Sequence, residues 1–539
     1  MDAEVFTNEY LDRIRKEGDP KVDALVEHVL AAPVGGKESG RLDYNLMLDL
    51  ADRIVATPSL RFVADSVLNQ ELKRVPAGLE EYFAPEVAPA WVDARKLELG
   101  ARLWQQNMLA MLGVLYAYSL PACYLVAKGI PALFQTSKLR DPRYLSQRVY
   151  ETGLMLDAVM GKDGISVVED IAPGSGERTS YLWGNGYVTA KKVRFLHASM
   201  RYMLINRARL AADGAAGDAS ARDTGAGEAA TITESLSRQA SSWDTDALGA
   251  PVNQEDLAYT LLTFGYALPR GLERWGCPVS REERAGFLHL WRVVGHVMGI
   301  RDELMTDDWD EAEKLFDTIA ARQANTSHDG VVLTESLLGF LAAYLPDHMS
   351  LSHRIAALMI IDQLGMEHAQ MILRPELVRQ SLRADRRAIY WVGRTGLRLY
   401  YGIRTHVLRR LPTVASLFGN LLENSAHQLI ESWRDAYVRR PFYVPANSTT
   451  WQRQRDAGEA FVESLRAWRR KMFNTLGLAV GQLVIAGFSF AALLPAWLFG
   501  TQTSVRWTAI VCAVTALGAV ATMKWRLPAV FAERPVAAD

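Results

Sequence analysis

Two apolar segments near the C-terminus constrain the fold of this chain more than any other feature of its sequence. Thr475–Phe499 contains Gln482 and a few small hydroxyl residues but no charged side chain, and a helix of that length reaches about 37 Å. A helix over Trp507–Met523 reaches about 26 Å. Because the hydrocarbon layer of a bilayer is ~30 Å thick, these lengths favour a membrane-spanning hairpin over the alternative, a hairpin buried within the protein.

Basic residues flank the outer ends of this pair. Arg466–Lys471 precedes the first segment, Lys524 and Arg526 follow the second, and the connecting loop carries only Arg506. Since Lys and Arg are enriched on cytoplasmic flanks, we expect a two-span membrane protein whose preceding domain lies on the cytoplasmic side. The polar, acidic N-terminal residues do not have the pattern of a secretory signal.

Helical spacing dominates the rest of the sequence, and sustained strand-like alternation is hard to find. The apolar residues 109–135 are interrupted by Pro121 and Pro131, which favours two buried core helices there over a membrane span. Residues 164–186 are predicted to be a loop. The predicted fold class is therefore all-α, with a large helical domain followed by a C-terminal two-helix transmembrane hairpin.

Changes in composition predict the domain boundaries. We expect an N-terminal helical segment over residues 1–75, the main helical domain over 76–470, the hairpin over 471–527 and a tail over 528–539. Within the main domain, Ala, Gly, Ser, Asp and Thr dominate residues 210–250. Such a segment buries too little apolar area to offset its ordering entropy, so it is predicted to be a mobile insertion.

A second region, residues 391–412, has the composition of a membrane-surface helix. It combines aromatic residues with five arginines: Arg394, Arg398, Arg404, Arg409 and Arg410. Such a helix lies in the headgroup region of a bilayer, or it packs on its own domain and leaves a solvated basic face. The sequence leaves both alternatives open.

The net charge argues against a nucleic-acid partner, and the cysteine positions argue against cysteine-based structural sites. The 539 residues carry a formal net charge of −1, so no overall positive field attracts nucleic acid. Cys123, Cys277 and Cys512 are far apart and form no CxxC pair. This argues against a disulfide framework and against a thiolate metal site.

The segment VRFLHASMR places Arg194, His197 and Arg201 on one face of a predicted helix. An imidazole can supply an axial nitrogen to haem iron, and arginines beside it can pair with haem propionates. Spacing alone favours the simpler alternative, a buried, hydrogen-bonded histidine with two surface arginines. His289 and His296 also share a helical face, but no third ligand at helical spacing accompanies them, which favours a core role.

A second cluster lies upstream in QRVYETGLML. Arg148 and Thr152 are four residues apart, with Glu151 beside Thr152. A helix with a cation, a carboxylate and a hydroxyl can form the opposite wall of a site for oxygen chemistry. Arg148 and Glu151 alone are equally compatible with an ordinary surface ion pair.

These segments together resemble the MpaB-type oxygenase family, which includes the latex-clearing rubber oxygenases. The resemblance extends over roughly residues 75–305, and the R-x-x-H-A-x-x-R motif in this order is its specific part. The matching segments, in chain order, are PAWVDARKLELGARLW, SLPACYLVAKGIPALFQTSKL, RVYET, VRFLHASMR, PVNQEDLAYTLLTF and LHLWRVVGHVMGI.

The resemblance implies an all-helical fold around one b-type haem. His197 matches the proximal iron ligand of the family, and Arg194 and Arg201 match its flanking arginines. Arg148 and Thr152 match residues on the helix that lines the haem pocket.

At one position the chain departs from the rubber oxygenases. These enzymes carry a lysine, which can cap the iron, where this chain has Glu151. The resemblance therefore leaves both a lysine-capped resting state and a rubber-like substrate open. A carboxylate at this position can accept a proton or hold water near the iron.

The leading hypothesis is a membrane-anchored haem b oxygenase that uses dioxygen on an apolar, unsaturated lipid or isoprenoid substrate. His197 would hold the iron, and Arg148, Glu151 and Thr152 would be catalytic. One alternative is a haem-binding sensor or electron-transfer protein, which two protein axial ligands would favour. Another is a helical membrane scaffold without a cofactor.

Overall fold

Helices make up most of the part of the chain that the structure describes. A computed structural model describes residues 6–31, 79–136, 152–161, 164–171, 178–206, 243–342, 352–406, 428 and 459–535. The first helices are α1 (Asn8–Ile14), α2 (Pro20–Ala31), α3 (Leu79–Phe83), α4 (Ala94–Val114), α5 (Leu120–Tyr124), α6 (Ile130–Thr136) and α7 (Asn185–Ile205). Residues 152–160 are also helical.

The remaining helices complete the domain and form the C-terminal hairpin. The domain helices are α8 (Thr245–Leu248), α9 (Gln254–Gly265), α10 (Ala267–Arg274), α11 (Arg281–Val297), α12 (Trp309–Gln323), α13 (His328–Ala342), α14 (Ser352–Leu364), α15 (Met366–Ile372), α16 (Pro375–Ser381) and α17 (Ala384–His406). The C-terminal helices are α18 (Glu459–Phe499), α19 (Gln502–Ala521) and α20 (Leu527–Ala532).

Helix α4 begins where its capping residue predicts. The Asp93 carboxylate accepts hydrogen bonds from the backbone N–H groups of Arg95 and Lys96, which satisfies donors that the first helical turn leaves without partners. The helix continues through a π-helical turn, Leu115–Ser119, into α5. Pro121 lies at the start of α5, directly after the π-helical turn.

One large apolar core holds the domain together, and its centre lies between α4, α9 and α11. Trp104, Phe287 and Trp291 are almost completely inaccessible to solvent, and the rings of Phe264 and Trp291 stack with centroids 5.0 Å apart. Truncating a buried aromatic of this size typically costs about 3–5 kcal/mol. Residues 109–135 belong largely to this core, as predicted for two buried helices.

A small antiparallel sheet lies in the region predicted to be a loop. Strands β1 (Glu86–Val87), β2 (Ser166–Ile171) and β3 (Arg178–Trp183) pair in the order β1-β3-β2. The loop prediction for residues 164–186 is therefore wrong, while the described part of the fold is mostly helical, as predicted. The strands are short and partly exposed, so they show little of the apolar alternation that marks a strand in sequence.

Helix α7 begins directly after β3. Gly184 precedes the helix with φ of 117°, a backbone conformation that residues with a Cβ rarely adopt. The glycine therefore allows the chain to turn sharply from strand β3 into the helix that carries His197.

The predicted mobile insertion, residues 210–250, falls mainly outside the described residues. Its last eight residues are ordered and contain α8. Trp243 is buried against Ala132 and Leu204, and its indole N–H donates to the carbonyl of Gly249 at 2.8 Å. This end of the segment is thus anchored beside α6 and α7.

The C-terminal helices form a hairpin in which α18 packs against α19. Gln482, the one amide in the first apolar segment, accepts a hydrogen bond from the Thr522 hydroxyl at 3.0 Å across the hairpin. The foot of the hairpin joins the domain core through Trp468, Met472 and Leu527. Among the described residues, one helical stretch, Gln502–Ala532, is long and apolar enough to cross a membrane.

The crossing of α4 and α11 depends on two glycines, and Gly100→Ala is expected to destabilise the protein. A Cβ at position 100 would lie 2.6 Å from the carbonyl oxygen of Gly286, which is backbone and cannot rotate away. Overpacking costs typically about 1–3 kcal/mol, more than the gain of up to ~1 kcal/mol from alanine's helix propensity. The midpoint of thermal unfolding should fall.

The matched control is Gly339→Ala in α13. This glycine is exposed and nothing lies within 4 Å of a Cβ built there, so the propensity gain should appear alone and raise the midpoint. Equal midpoints for both variants would contradict a close approach of α4 and α11.

Candidate functional site

A mostly apolar cavity of about 260 Å³ lies inside the helical domain. Its walls come from α5, α6, α7, α9, α11 and the helical residues 152–160. The size is near the lower end of the roughly 300–1,000 Å³ typical of small-molecule sites. Apolar walls with a few polar groups are the usual composition of such sites.

Two of the predicted site residues, His197 and Thr152, lie on the wall of this cavity. His197 is half-buried near the middle of α7, and Leu196 and Met200 line the cavity beside it. Thr152 belongs to a different helix. The fold thus brings an imidazole and a hydroxyl to one apolar cavity. Arg148 and Glu151 lie outside the described residues.

Arg194 lies one turn before His197 and binds the N-terminal segment. Its Nε donates to Asp19 Oδ2 at 2.5 Å and its Nη2 donates to Asp19 Oδ1 at 3.1 Å. Its Nη1 also donates to the carbonyl of Val297 at 3.2 Å. This two-point contact with a carboxylate fixes α7 to the start of α2.

Arg201, one turn after His197, repeats this arrangement. It is buried, and its Nε donates to Asp23 Oδ2 at 3.1 Å while Nη1 donates to the carbonyl of Val252 at 3.2 Å. Burial raises the pKa of Asp23, and the charge of Arg201 opposes that shift. The arginines on either side of His197 are therefore held by carboxylates at the start of α2, and neither is among the described residues that line the cavity.

Asp256, in the first turn of α9, is a cavity residue that sequence reasoning missed. Its Oδ1 accepts from Arg15 Nη1 at 2.9 Å, and its Oδ2 accepts from Asn253 Nδ2 at 2.8 Å. Burial raises the pKa of Asp256, while the charge of Arg15 lowers it. In the sequence, an acidic residue after Asn253 is typical of an ordinary helix start. The contact between Asp256 and Arg15 could not be predicted, because the two residues are far apart in the sequence.

Glu255, beside Asp256, is fully buried and surrounded by donors. Arg15 Nη1, Arg322 Nε and Gln323 Nε2 each reach its carboxylate at 3.0 Å. Arg322 also binds Asp12 in α1 at 2.6 Å. This charged network ties α1, α9 and α12 together directly behind the cavity wall.

A further ionic cluster surrounds the first half of α7. Lys191 donates to Glu86 Oε2 at 2.9 Å, and His296 Nε2 lies 3.5 Å from Glu86 Oε1. Hydrogen bonding with His296, together with the charge of Lys191, lowers the pKa of Glu86 to about 2. The cluster ties α7 to β1 and α11.

His289 has a structural role, in line with the core role predicted for it. It is fully buried, and its Nε2 accepts the backbone N–H of Asp93 at 2.9 Å. Its Nδ1 therefore carries the proton and donates to Asp307 at 3.0 Å. His289 and His296 are not among the described residues that line the cavity.

The donor set of the cavity fits a b-type haem. Among the described residues, His197 is the histidine on its wall, and no group of three His, Cys, Asp or Glu side chains could hold a bare metal ion. A haem needs one or two axial ligands and an apolar surround. His197 with Leu196, Met200 and Phe264 supplies that combination.

A family model matches residues 101–399 of this chain, and its description is "ER-bound oxygenase mpaB/B'/Rubber oxygenase, catalytic domain". The chain belongs to this family of oxygenase catalytic domains. The resemblance drawn from the sequence motifs is thereby confirmed. The matched residues contain the described cavity residues, including His197 and Thr152.

Two known proteins of the same kind are similar to this MpaB-type chain. The rubber oxygenase of Streptomyces sp. (strain K30) is 25% identical over 276 residues, which cover 50% of this chain and 54% of that protein. The chain thus spans about half the length of this relative. A latex clearing protein structure in the closed state is 18% identical, with a TM-score of 0.47, covering 72% of this chain and 85% of that one.

Proposed function

We propose that this protein is a membrane-anchored, haem b-dependent oxygenase that uses dioxygen on an apolar, unsaturated lipid or isoprenoid substrate. The observation that carries the proposal is the position of His197 on the wall of an apolar cavity within an oxygenase-type catalytic domain. The printed name of the relative, a rubber oxygenase, supports an isoprenoid-type substrate.

In this proposal the residues of the cavity have distinct roles. When bound, the haem would supply the one-electron and dioxygen chemistry that amino-acid side chains lack. His197 would hold its iron, and the apolar walls, including Leu196, Met200 and Met155, would exclude water and bind an apolar substrate. Thr152 would orient the reacting groups through its hydroxyl.

The roles of the four charged residues near His197 and Thr152 in the sequence follow from the same proposal. Arg194 and Arg201 would keep α7 in position, since both are engaged by carboxylates of the N-terminal segment. Their predicted pairing with haem propionates stays a prediction. So do catalytic roles for Arg148 and for Glu151, which replaces the lysine of rubber oxygenases.

We further propose that the hairpin anchors the domain on the cytoplasmic face of a membrane. Gln502–Ala532 has the length and composition of a span, and its outward side exposes Trp507, Val514 and Leu517 to more than 60%. The apolar part of α18 packs along it and would form the other span. The basic residues at the foot of the hairpin favour the cytoplasmic side for the domain.

Optical absorption of the purified full-length protein tests the cofactor, and oxygen uptake tests the reaction. We expect a Soret band that shifts on ferrous CO binding, because an open axial position admits a diatomic ligand. Oxygen uptake should follow addition of unsaturated lipids or prenyl compounds. A six-coordinate spectrum without CO binding would favour the electron-transfer alternative, and a colourless protein after expression with haem supply would contradict the proposal.

Thr152→Val is expected to preserve haem content and lower turnover. The substitution keeps the volume of the side chain but removes the hydroxyl, and a hydrogen bond to a charged group contributes about 1.5–3 kcal/mol. Turnover should fall by roughly 10- to 100-fold, since each ~1.4 kcal/mol is tenfold in rate. Oxygen uptake per haem is the measurement, and unchanged turnover would remove Thr152 from the mechanism.

A further inference from the structure

Helix α17 turns two of its arginines, Arg394 and Arg404, toward the domain. Arg394 donates to Asp362 at 2.7 Å and to the carbonyl of Arg274 at 3.0 Å. Arg404 donates to Asn107 Oδ1 at 2.8 Å. These two cations bind the domain, while Arg398 stays exposed and its Nη2 donates to the same carbonyl of Arg274 at 3.4 Å.

The exposed side of α17 carries large apolar residues beside the exposed Arg387 and Arg398. Ile389, Trp391 and Val392 are 48%, 66% and 59% exposed, and we call these three residues the α17 patch. The other exposed large hydrophobic residues described outside the hairpin are isolated in sequence: Val87, Ile205 and Met366. Three such side chains within four positions mark an interaction surface rather than scattered exposure.

The α17 patch belongs to a helix that is attached to the foot of the hairpin. Helix α17 packs against α18, and Tyr401 of α17 shares the domain core with Trp468 and Met472 of α18. Helix α18 then continues into the apolar segment that is proposed to enter the membrane. The patch is thus held by a packed interface close to the place where the chain would enter a bilayer.

The surroundings of the α17 patch are positively charged. Arg383 and Arg387 are exposed within two turns before it, while Asp385 pairs with Arg386. A groove at the foot of the hairpin is also basic, with Arg470 and Arg526 in its lining. Anionic lipid headgroups attract such cations by about 1 kcal/mol per residue near the surface, and Trp side chains favour the same interfacial layer.

We propose that helix α17 lies on the surface of an anionic bilayer and inserts the α17 patch among the lipid headgroups. The helix forms a second membrane contact beside the hairpin, and it restrains the domain against the bilayer. Amphipathic helices in this position bury their apolar side ~5–10 Å deep. The proposal depends on the proposed membrane anchoring in one respect: the anchoring brings α17 close to a bilayer.

Nitroxide labels on the full-length protein in vesicles containing phosphatidylglycerol test this proposal. Single cysteines are introduced as Val392→Cys in the patch, Lys314→Cys on the exposed side of α12 as a water-exposed control, and Val514→Cys in α19. All are made in a background in which the native thiols are removed by Cys123→Ala, Cys277→Ala and Cys512→Ser. The measurement compares collision rates with oxygen, which concentrates in lipid, and with a water-soluble nickel chelate. At position 392 the oxygen-to-nickel ratio should exceed that at position 314 several-fold.

The label at position 514 reports hairpin insertion independently of α17. Lipid exposure at 514 with water exposure at 392 would overturn the α17 proposal and leave the anchoring intact. Water exposure at 514 would overturn the anchoring, and the ratio at 392 would still decide on α17 by itself. Adding Arg383→Glu and Arg387→Glu should lower the ratio at 392 in anionic vesicles and leave it unchanged at 514; no change at 392 would refute the electrostatic part of the proposal.

Discussion

Replacing His197 by alanine is expected to abolish or greatly weaken haem binding while helix content stays near wild type. Among the described residues that line the cavity, His197 is the one histidine. Changes to residues that only support a metal ligand already weaken binding by about 10- to 100-fold, so loss of the ligand itself should exceed that. The Soret absorbance per protein measures haem content, and far-ultraviolet circular dichroism measures helix content.

The matched control for this prediction is His296→Ala. His296 lies on α11 beside Glu86 and is the next histidine that could be considered as a ligand. Its removal should leave the Soret band in place. A second test is His197→Gly with added imidazole, which should restore the band if the cavity accepts the free ligand. Normal haem content in His197→Ala, or its loss in His296→Ala, would reassign the ligand.

Features of the fold that depend on neighbouring residues could be predicted from the sequence. The Asp93 cap and the capping box of Ser280 and Glu283 are visible in the sequence, because their hydrogen bonds close within three residues. The sheet was missed because β2 and β3 pair locally but are short and partly exposed, so they lack apolar alternation. Strand β1 has only two residues and lies almost 100 positions before its partner β3, so it gives no local signal.

In the candidate site, too, local features could be predicted from the sequence and long-range contacts could not. The motif around His197 and the position of Thr152 were found because both lie in segments with a recognisable order of residues. The partners of Arg194 and Arg201 were not found, since Asp19 and Asp23 belong to a segment predicted as a separate N-terminal unit. Ion pairs across that distance depend on tertiary packing, which one sequence does not reveal.

These ion pairs make the N-terminal segment part of the site rather than an appendage. Arg15 reaches the buried pair Glu255 and Asp256, and Asp256 itself lines the cavity. Asp19 and Asp23 hold the helix of His197 on the other side. The position of the imidazole therefore depends on residues almost 180 positions before it.

Arg15→Met is accordingly expected to cause the largest loss of stability among the substitutions considered. The Arg15 side chain is 5% exposed and the Glu255 side chain 0%, so water cannot replace the lost cation. Removing one partner of a buried ion pair typically costs about 3–5 kcal/mol. The midpoint of thermal unfolding should fall by several degrees. The control Arg13→Met, an exposed change in α1, should change the free energy of unfolding by no more than ~0.5 kcal/mol.

The pH dependence of this loss gives a second, independent check. Burial raises the pKa of Asp256 above its ordinary value of 3.8, and loss of Arg15 should raise it further because the opposing charge is gone. The carboxylate then takes up its proton in the folded variant at a higher pH than in the unfolded chain, so protonation favours the folded state. The difference in free energy of unfolding between Arg15→Met and wild type should therefore be largest near neutral pH and shrink as the pH falls toward 4. A difference that stays constant over this range would contradict an uncompensated charge at Asp256.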